Sequence, residues 1–156
     1  MRIERLLIER HTQEERPPMD LLLLADPSEK LIAQYLRRGD CYVAKTEDGD
    51  FVGVYVLLPT RPDTAELVNV AVDERHQGNG IGKALVLHAI DTARREGYRT
   101  IEAGTGNSSV GQLALYQKCG FRIVGVDLDF FARHYDEPIF ENGIRCRDMI
   151  RMSQDL

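Results

Sequence analysis

Residues 77–83, Gln77-Gly78-Asn79-Gly80-Ile81-Gly82-Lys83, join a strand-like apolar run to a helix through three alternate glycines. No other feature constrains the fold of this chain as strongly. Residues 66–72, which contain Leu67-Val68-Asn69-Val70-Ala71-Val72, read as a strand. Residues 81–96 read as a helix, because Ile81, Leu85, Ala89 and Ala93 recur at four-residue spacing. Glycines at such a junction let a ligand approach the backbone closely, and the helix start aims amide N–H groups at it. The chemistry that suits this arrangement is phosphate, held mostly by main chain.

Two familiar phosphate loops nearly fit, and both fail. A Walker A loop needs glycine where Gln77 stands and a hydroxyl residue where Ala84 stands, and the missing hydroxyl removes a magnesium ligand. A dinucleotide fingerprint needs its third glycine at Lys83, and here it comes one residue early, at Gly82. Glu102 lies about 20 residues on, where a ribose-binding acid is expected, but an acid alone is weak evidence.

The pattern Gln-x-x-Gly-x-Gly, read as Gln77, Gly80 and Gly82 after its strand, resembles motif A of the GNAT N-acetyltransferases. Asn107-Ser108-Ser109 opens a second helix that ends in Tyr116-Gln117-Lys118-Cys119-Gly120-Phe121. That segment is similar to motif B of the same superfamily, with its asparagine, helix and Tyr-x-x-x-Gly-Phe ending. The resemblance covers residues 43–121 well and is weaker on either side. It implies that the amides of Gln77, Gly78, Asn79, Gly80, Ile81, Gly82 and Lys83 hold the pyrophosphate of coenzyme A, with acetyl-CoA as the acetyl donor.

The chain has 156 residues, which suits a single domain spanning 1–156. A chain of this size buries ~70% of its unfolded surface, so no disulfide or metal is needed to complete a core. The net charge of −5 argues against a general nucleic-acid binder. Leu21 to Leu24 is too short for a signal h-region, and no run approaches a membrane span. Cys41, Cys119 and Cys146 are odd in number and widely spaced, which suits reduced thiols in a cytoplasmic protein. His11, His76, His88 and His134 lack metal-ligand spacing, so no metal is expected. A homodimer stays open as a partner.

Along the chain, strands are expected at residues 2–8, 41–45, 51–58, 66–72, 99–105, 121–128 and 144–152. Pro17-Pro18 can open a short helix through Leu24. Asp26 reads as the N-cap of the next helix, with Pro27 in its first turn, Glu29 closing a capping box and Gly39 ending it. Asp48-Gly49 signals a hairpin, residues 59–63 a loop, and Ser109-x-x-Gln112 a further capping box. Residues 129–143 read as irregular or partly helical. The order is β-α-α-β-β-β-α-β-α-β-β. It predicts an α/β (α+β) fold with a mixed, mainly antiparallel sheet of about seven strands and helices on both faces. The GNAT fold has this order, and in it the strand before the glycine loop splays from the next parallel strand to admit the pantetheine arm.

Acetyl transfer to an amine first has to free a lone pair. An alkyl ammonium of pKa ~10.4 costs about 4.6 kcal/mol to deprotonate at pH 7, so a general base is needed, acting directly or through water. Glu66 is the candidate base. It starts the strand and shares a face with Val68, Val70 and Val72 if that strand is regular. Ala65-Glu66-Leu67-Val68 also resembles the strand that holds the catalytic glutamate in histone-acetyltransferase members. Tyr116 is the candidate acid, since in the superfamily a tyrosine here sits near the coenzyme A sulfur. By the same resemblance, the backbone of Val70, Ala71 and Val72 pairs with the pantetheine amides. The N–H of Val70, or of a neighbour at a bulge, would form the oxyanion contact. Asn107 resembles the asparagine that bonds the pantetheine arm, and it also suits a helix N-cap. Cys119 raises a ping-pong route through an acetyl-thiol. No paired histidine is evident, so direct transfer in a ternary complex is expected.

The acceptor side is read from residues 127–141, where acids alternate with aromatics. Asp129, Tyr135, Asp136 and Glu137 are the candidate substrate residues, in a setting that would suit a cationic amine such as a polyamine, an aminoglycoside or an amino sugar. A protein lysine or N-terminal amine, or a non-catalytic acyl-CoA sensor, are the alternatives.

Overall fold

The structure, a computed structural model, describes residues 6–156. Seven strands form one sheet in the order β1-β2-β3-β4-β5-β9-β6, and β7 and β8 form a separate hairpin. The N-terminal half runs β1 (Leu7–His11), α1 (Met19–Ala25), α2 (Glu29–Arg38), β2 (Asp40–Lys45), β3 (Phe51–Arg61) and β4 (Thr64–Val72). After a short 3-10 turn come α3 (Ile81–Arg95), β5 (Thr100–Gly106), α4 (Val110–Lys118) and β6 (Arg122–Asp127). The chain ends with α5 (Phe130–His134), β7 (Ile139–Glu141), β8 (Ile144–Cys146) and β9 (Met149–Asp155). The expected mixed, mainly antiparallel sheet is present: β4 and β5 are its parallel pair, and its other pairings are antiparallel.

Two apolar layers cover the sheet. Ile81, Leu85, Val86, Ala89 and Ala93 of α3 pack with Leu67, Val70, Ile101 and Met152 on one face. The other face carries Leu21 and Leu22 of α1 and Ile32 of α2, packed on Val43, Val54, Val56 and Ala71. Ile32 and Leu22 are fully buried, and each such side chain contributes about 1.5–3 kcal/mol relative to exposure.

Several expected boundaries shift for physical reasons. The first strand begins at Leu7, and the rest of the expected span, residues 2–5, lies outside the described residues. The loop expected at residues 59–63 is mostly strand: Pro59 pairs with Ala65 and Arg61 with Thr64, around a turn at Asp63 with φ 62°. Proline is tolerated there because β2 reaches only Leu57 on the other side of β3. The last strand does not start at Ile144. Residues 144–146 pair with β7, and the sheet strand begins at Met149.

Two capping expectations are also corrected. The N-cap of α2 is Ser28, whose Oγ accepts from Leu31 N–H at 3.2 Å. Asp26 instead accepts the Ser28 N–H at 3.0 Å, an Asx turn one step earlier. Ser28→Ala should therefore lower unfolding stability by about 1 kcal/mol, read from chemical denaturation; an unchanged midpoint would mean that the cap carries no load. The Ser109–Gln112 capping box does not form. Ser109 Oγ donates to Glu141 Oε1 at 2.8 Å, and Gln112 Nε2 donates to the Tyr116 hydroxyl at 3.3 Å.

No helix of the described residues is long and apolar enough to cross a membrane.

Candidate active site

β4 and β5 run together only from Thr64–Thr100 to Leu67–Ala103. Beyond that point β4 continues to Val72 beside β3, while β5 continues to Gly106 beside β9. The two strands separate, and the main chain of β4 faces an open wedge.

A bulge marks the start of the wedge. Leu57 pairs with Leu67 but Val56 pairs with Asn69, so Val68 is an extra residue on β4. This corrects the expected side-chain pattern. Ala65, Leu67, Val70 and Val72 all pack on the α3 side, and Val68 and Ala71 pack on the α1–α2 side. Glu66, between Ala65 and Leu67, points away from α3 and does not share a face with Val70 and Val72. One extra residue inverted the phase of the strand.

At the far end of β4 the chain turns through Glu74–His76, with Asp73 capping the Arg75 N–H at 2.9 Å. Gly78 and Gly80 have φ of 84° and 80°, a left-handed conformation that side chains resist. Nothing lies within 4 Å of where a Cβ would stand at either position, so the demand comes from the backbone and not from crowding. Gly80 is the N-cap of α3, and the first intrahelical bond is Ala84 N–H to Gly80 O at 3.0 Å. The N–H groups of Ile81, Gly82 and Lys83 precede that bond and lie at the positive end of a 15-residue helix. Gln77 Nε2 donates to Val72 O at 3.2 Å, and Asn79 Nδ2 to His76 O at 3.1 Å. Both side chains brace the loop, leaving its main chain as the ligand surface. This exposed, donor-rich cradle fits a pyrophosphate, and the wedge beside it fits an extended arm. Lys83 is exposed, and its charge pulls the Cys119 thiol down against the stronger upward push of burial.

The two candidate catalytic side chains come from β4 and α4 and lie close enough for the Glu66 charge to act on Tyr116. Tyr116 is buried on α4 with its ring at 5.4 Å from Phe121, edge to face. Burial raises its pKa to about 12, and the Glu66 charge adds to the rise. Its oxygen accepts from Gln112, which leaves the hydroxyl hydrogen for another acceptor. Glu66 is half-buried. Burial raises its pKa above the ordinary carboxylate range and the neighbouring Glu102 adds to this, while Arg151 and Arg61 pull it down.

Asn107 is not the N-cap of α4; Ser109 is. The Asn107 Oδ1 accepts from Arg147 N–H at 2.8 Å and Asp148 N–H at 3.0 Å, and Nδ2 donates to Arg145 O at 3.1 Å. It ties the end of β5 to the β8–β9 connection and keeps one N–H of its amide for a ligand.

The acceptor candidates fall in different surroundings. Asp129 is paired with Arg147 at 2.8 Å. The Tyr135 hydroxyl donates to Asp26 Oδ1 at 2.8 Å, tying α5 to the α1–α2 corner. Asp136 and Glu137 are exposed and line a small surface cavity with Phe131, Arg145 and Cys146. Sequence reasoning missed the rest of this wall. Asn69 Nδ2 donates to Leu22 O at 3.0 Å and to the Tyr35 hydroxyl at 2.9 Å, and that hydroxyl donates to Asp26 Oδ2 at 3.3 Å. The Asn69 Oδ1 is buried with no partner among the described residues, so it awaits a water or a ligand N–H. A polar residue within the apolar run Leu67-Val68-Asn69-Val70 was the available signal.

Glu66 and Glu102, paired across β4 and β5, share the sheet face opposite α3. At Gly106, the end of β5, a Cβ would come within 2.3 Å of Cys146 Sγ and 3.5 Å of the Phe131 ring. Only glycine lets the Cys146 thiol pack that closely against β5. Cys41, Cys119 and Cys146 are all free and buried.

A glycine cradle beyond the end of β4, a wedge between β4 and β5 and a half-buried carboxylate at its foot suit a two-substrate transferase. The chain belongs to the acetyltransferase (GNAT) family, whose family model matches residues 3–121. It is 58% identical to the N-acetyltransferase YvbK of Bacillus subtilis (strain 168) over 156 residues, covering 100% of both chains. Among solved structures it is similar to a GNAT family acetyltransferase from Elizabethkingia anophelis with acetyl-CoA bound. That match has a TM-score of 0.95 and 48% identity, and covers 98% of this chain and 99% of the other. A Bacillus subtilis acetyltransferase in complex with CoA matches with a TM-score of 0.92 and 58% identity, covering 97% of this chain and 99% of that one. The chain is an N-acetyltransferase of the acetyl-CoA-dependent kind.

Proposed function

We propose that this chain moves an acetyl group from acetyl-CoA directly to the primary amine of a small molecule, within a ternary complex at the β4–β5 wedge. One observation carries the reading. A single strand, β4, holds Glu66 at the foot of the wedge, an edge released from β5 along it, and the glycine cradle at its end. Acetyl-CoA supplies the activated acetyl group; the protein supplies placement and protons.

The main chain of residues 77–83 holds the pyrophosphate, with the Lys83 charge nearby. The released edge at Val70, Ala71 and Val72 pairs with the pantetheine amides, and an N–H at or beside the Val68 bulge faces the carbonyl oxygen as it gains charge. The spare N–H of Asn107 is available to the same arm.

Glu66 takes the proton from the arriving ammonium. Burial raises its pKa, which makes it a stronger base than an ordinary carboxylate. Tyr116 keeps its proton throughout the neutral range. With a pKa of about 12 against ~8.5 for a thiol, complete transfer to a departing thiolate is uphill by about 5 kcal/mol. Its role is then to donate a hydrogen bond to the sulfur. Tyr116→Phe should lower kcat about 10-fold to 100-fold while coenzyme A affinity stays close to wild type. Equal losses in affinity and turnover would remove this role. The burial of Cys119 and its raised pKa favour direct transfer over an acetyl-thiol.

The acceptor is small, and its reacting nitrogen arrives as an ammonium. Asp129, Tyr135, Asp136 and Glu137 remain its candidate wall, but Asp129 is matched by Arg147 and Tyr135 by Asp26, which reduces the support for a polyamine or aminoglycoside. Purified chain with acetyl-CoA and a panel of primary amines should release free thiol only when a suitable amine is present. Tight coenzyme A binding without turnover for any amine would favour a sensor over an enzyme.

A further inference from the structure

The sheet face that carries Glu66 also carries a guanidinium that the acetyl-transfer chemistry does not use. Arg151 of β9 pairs with Gly104 of β5, while Glu66 pairs with Glu102, so register places both side chains on the same face of the sheet. Met152 and Ala103, their neighbours in the ladder, are buried on the α3 side. The Arg151 side chain is 40% exposed. Its carboxylate partner is Asp127 at 3.4 Å, and Arg133 holds that same carboxylate more closely, at 2.8 Å. One acid therefore serves two guanidiniums. The Phe130 ring lies 5.6 Å from the Arg151 guanidinium carbon and covers one of its sides. Among the acids, Glu102 is paired with Arg61 at 2.7 Å, and Glu66 has no ion pair among the described residues.

That face thus offers a carboxylate without an ion pair among the described residues and a guanidinium only partly neutralised. The two residues stand two strands and two residues of register apart, roughly 12 Å between backbones, and both side chains are long enough to narrow that gap. A second ammonium, as on a polyamine, would meet Arg151 and be repelled. A planar oxyanion would find the fork geometry that arginine offers it.

We propose that the acceptor is a small zwitterion: a primary amine whose nitrogen goes to Glu66 and whose acidic group, a carboxylate or similar oxyanion, is held by Arg151. This rests on the acetyl-transfer reading and names its substrate class. Arg151 acts as a specificity residue and takes no part in the proton transfers.

The test compares matched pairs, amino acids against the amines left by their decarboxylation, at saturating acetyl-CoA. The acid-bearing member of a pair should be favoured about 10-fold to 100-fold in kcat/KM, the usual worth of a charged hydrogen-bonded contact. Arg151→Gln should move that ratio toward one, and Arg151→Lys should restore part of it. Coenzyme A affinity measured on each variant reports that the fold is intact. Preference for the decarboxylated amines, or a ratio that survives Arg151→Gln, overturns the proposal and leaves acetyl transfer standing. Absence of thiol release with either kind of amine, while coenzyme A still binds, overturns the acetyl-transfer reading and this proposal with it.

Discussion

Glu66→Gln should lower kcat/KM for the amine about 100-fold to 1,000-fold at pH 7, within the usual range for a lost general base. The deficit should shrink as pH rises. Without a base the enzyme depends on free amine, and that fraction grows about 10-fold per pH unit below the amine pKa. Wild type should instead show an acid limb set by Glu66 itself. The limb lies above the ordinary carboxylate range, because burial and Glu102 raise the Glu66 pKa more than Arg151 and Arg61 lower it. A loss that is flat with pH would assign Glu66 to positioning.

The same substitution has an opposite expected effect on stability. A carboxyl whose folded pKa is raised favours the folded state while protonated, and loses that advantage as pH climbs through the folded value. Above that folded value the wild type carries an ionised, half-buried group, and Gln does not. Glu66→Gln should therefore match or exceed wild-type thermal stability at pH 7–8. The difference should vanish below the unfolded carboxyl pKa of ~4.3. A variant that loses activity and gains stability is the signature of a site held under electrostatic strain; one that loses both would argue that Glu66 is structural.

Gly80→Val should weaken coenzyme A binding about 10-fold to 100-fold. The site has φ 80° and open space around it, so no atom blocks a side chain. The cost is conformational, about 1–3 kcal/mol for a β-branched residue held in the left-handed region. The free loop can relax, but a bound pyrophosphate requires the cradle, so the cost falls on binding. The KM for acetyl-CoA should rise, while kcat at saturation changes much less. Calorimetry with coenzyme A measures this directly, and unchanged affinity would place the pyrophosphate elsewhere.

Local signals were legible in the chain. The alternating glycines, the four-residue apolar period of α3 and the Tyr-x-x-x-Gly-Phe ending lie within short windows, and each stands where it was expected. Pairings between distant segments were not legible. The bulge at Val68 follows from how β3 and β4 align, and no residue type announces it; the face of Glu66 was misread for that reason. Asp127 and Asp129 read as free charge because Arg147, in the β8–β9 connection, and Arg151, on β9, come later, in a stretch whose strand start was itself misplaced by the β7–β8 hairpin. The Tyr135–Asp26 bond joins segments with no local relation. The donor half of the site is built from contiguous residues, and the acceptor half from tertiary contacts. That difference explains why one was readable and the other needed coordinates.

The most direct test is an initial-rate matrix that varies acetyl-CoA and the amine together, with thiol release counted against acetylated amine. Transfer across the β4–β5 wedge in a ternary complex predicts intersecting double-reciprocal lines and one acetylated amine for each thiol. Parallel lines, or thiol release that does not depend on the amine, would contradict it.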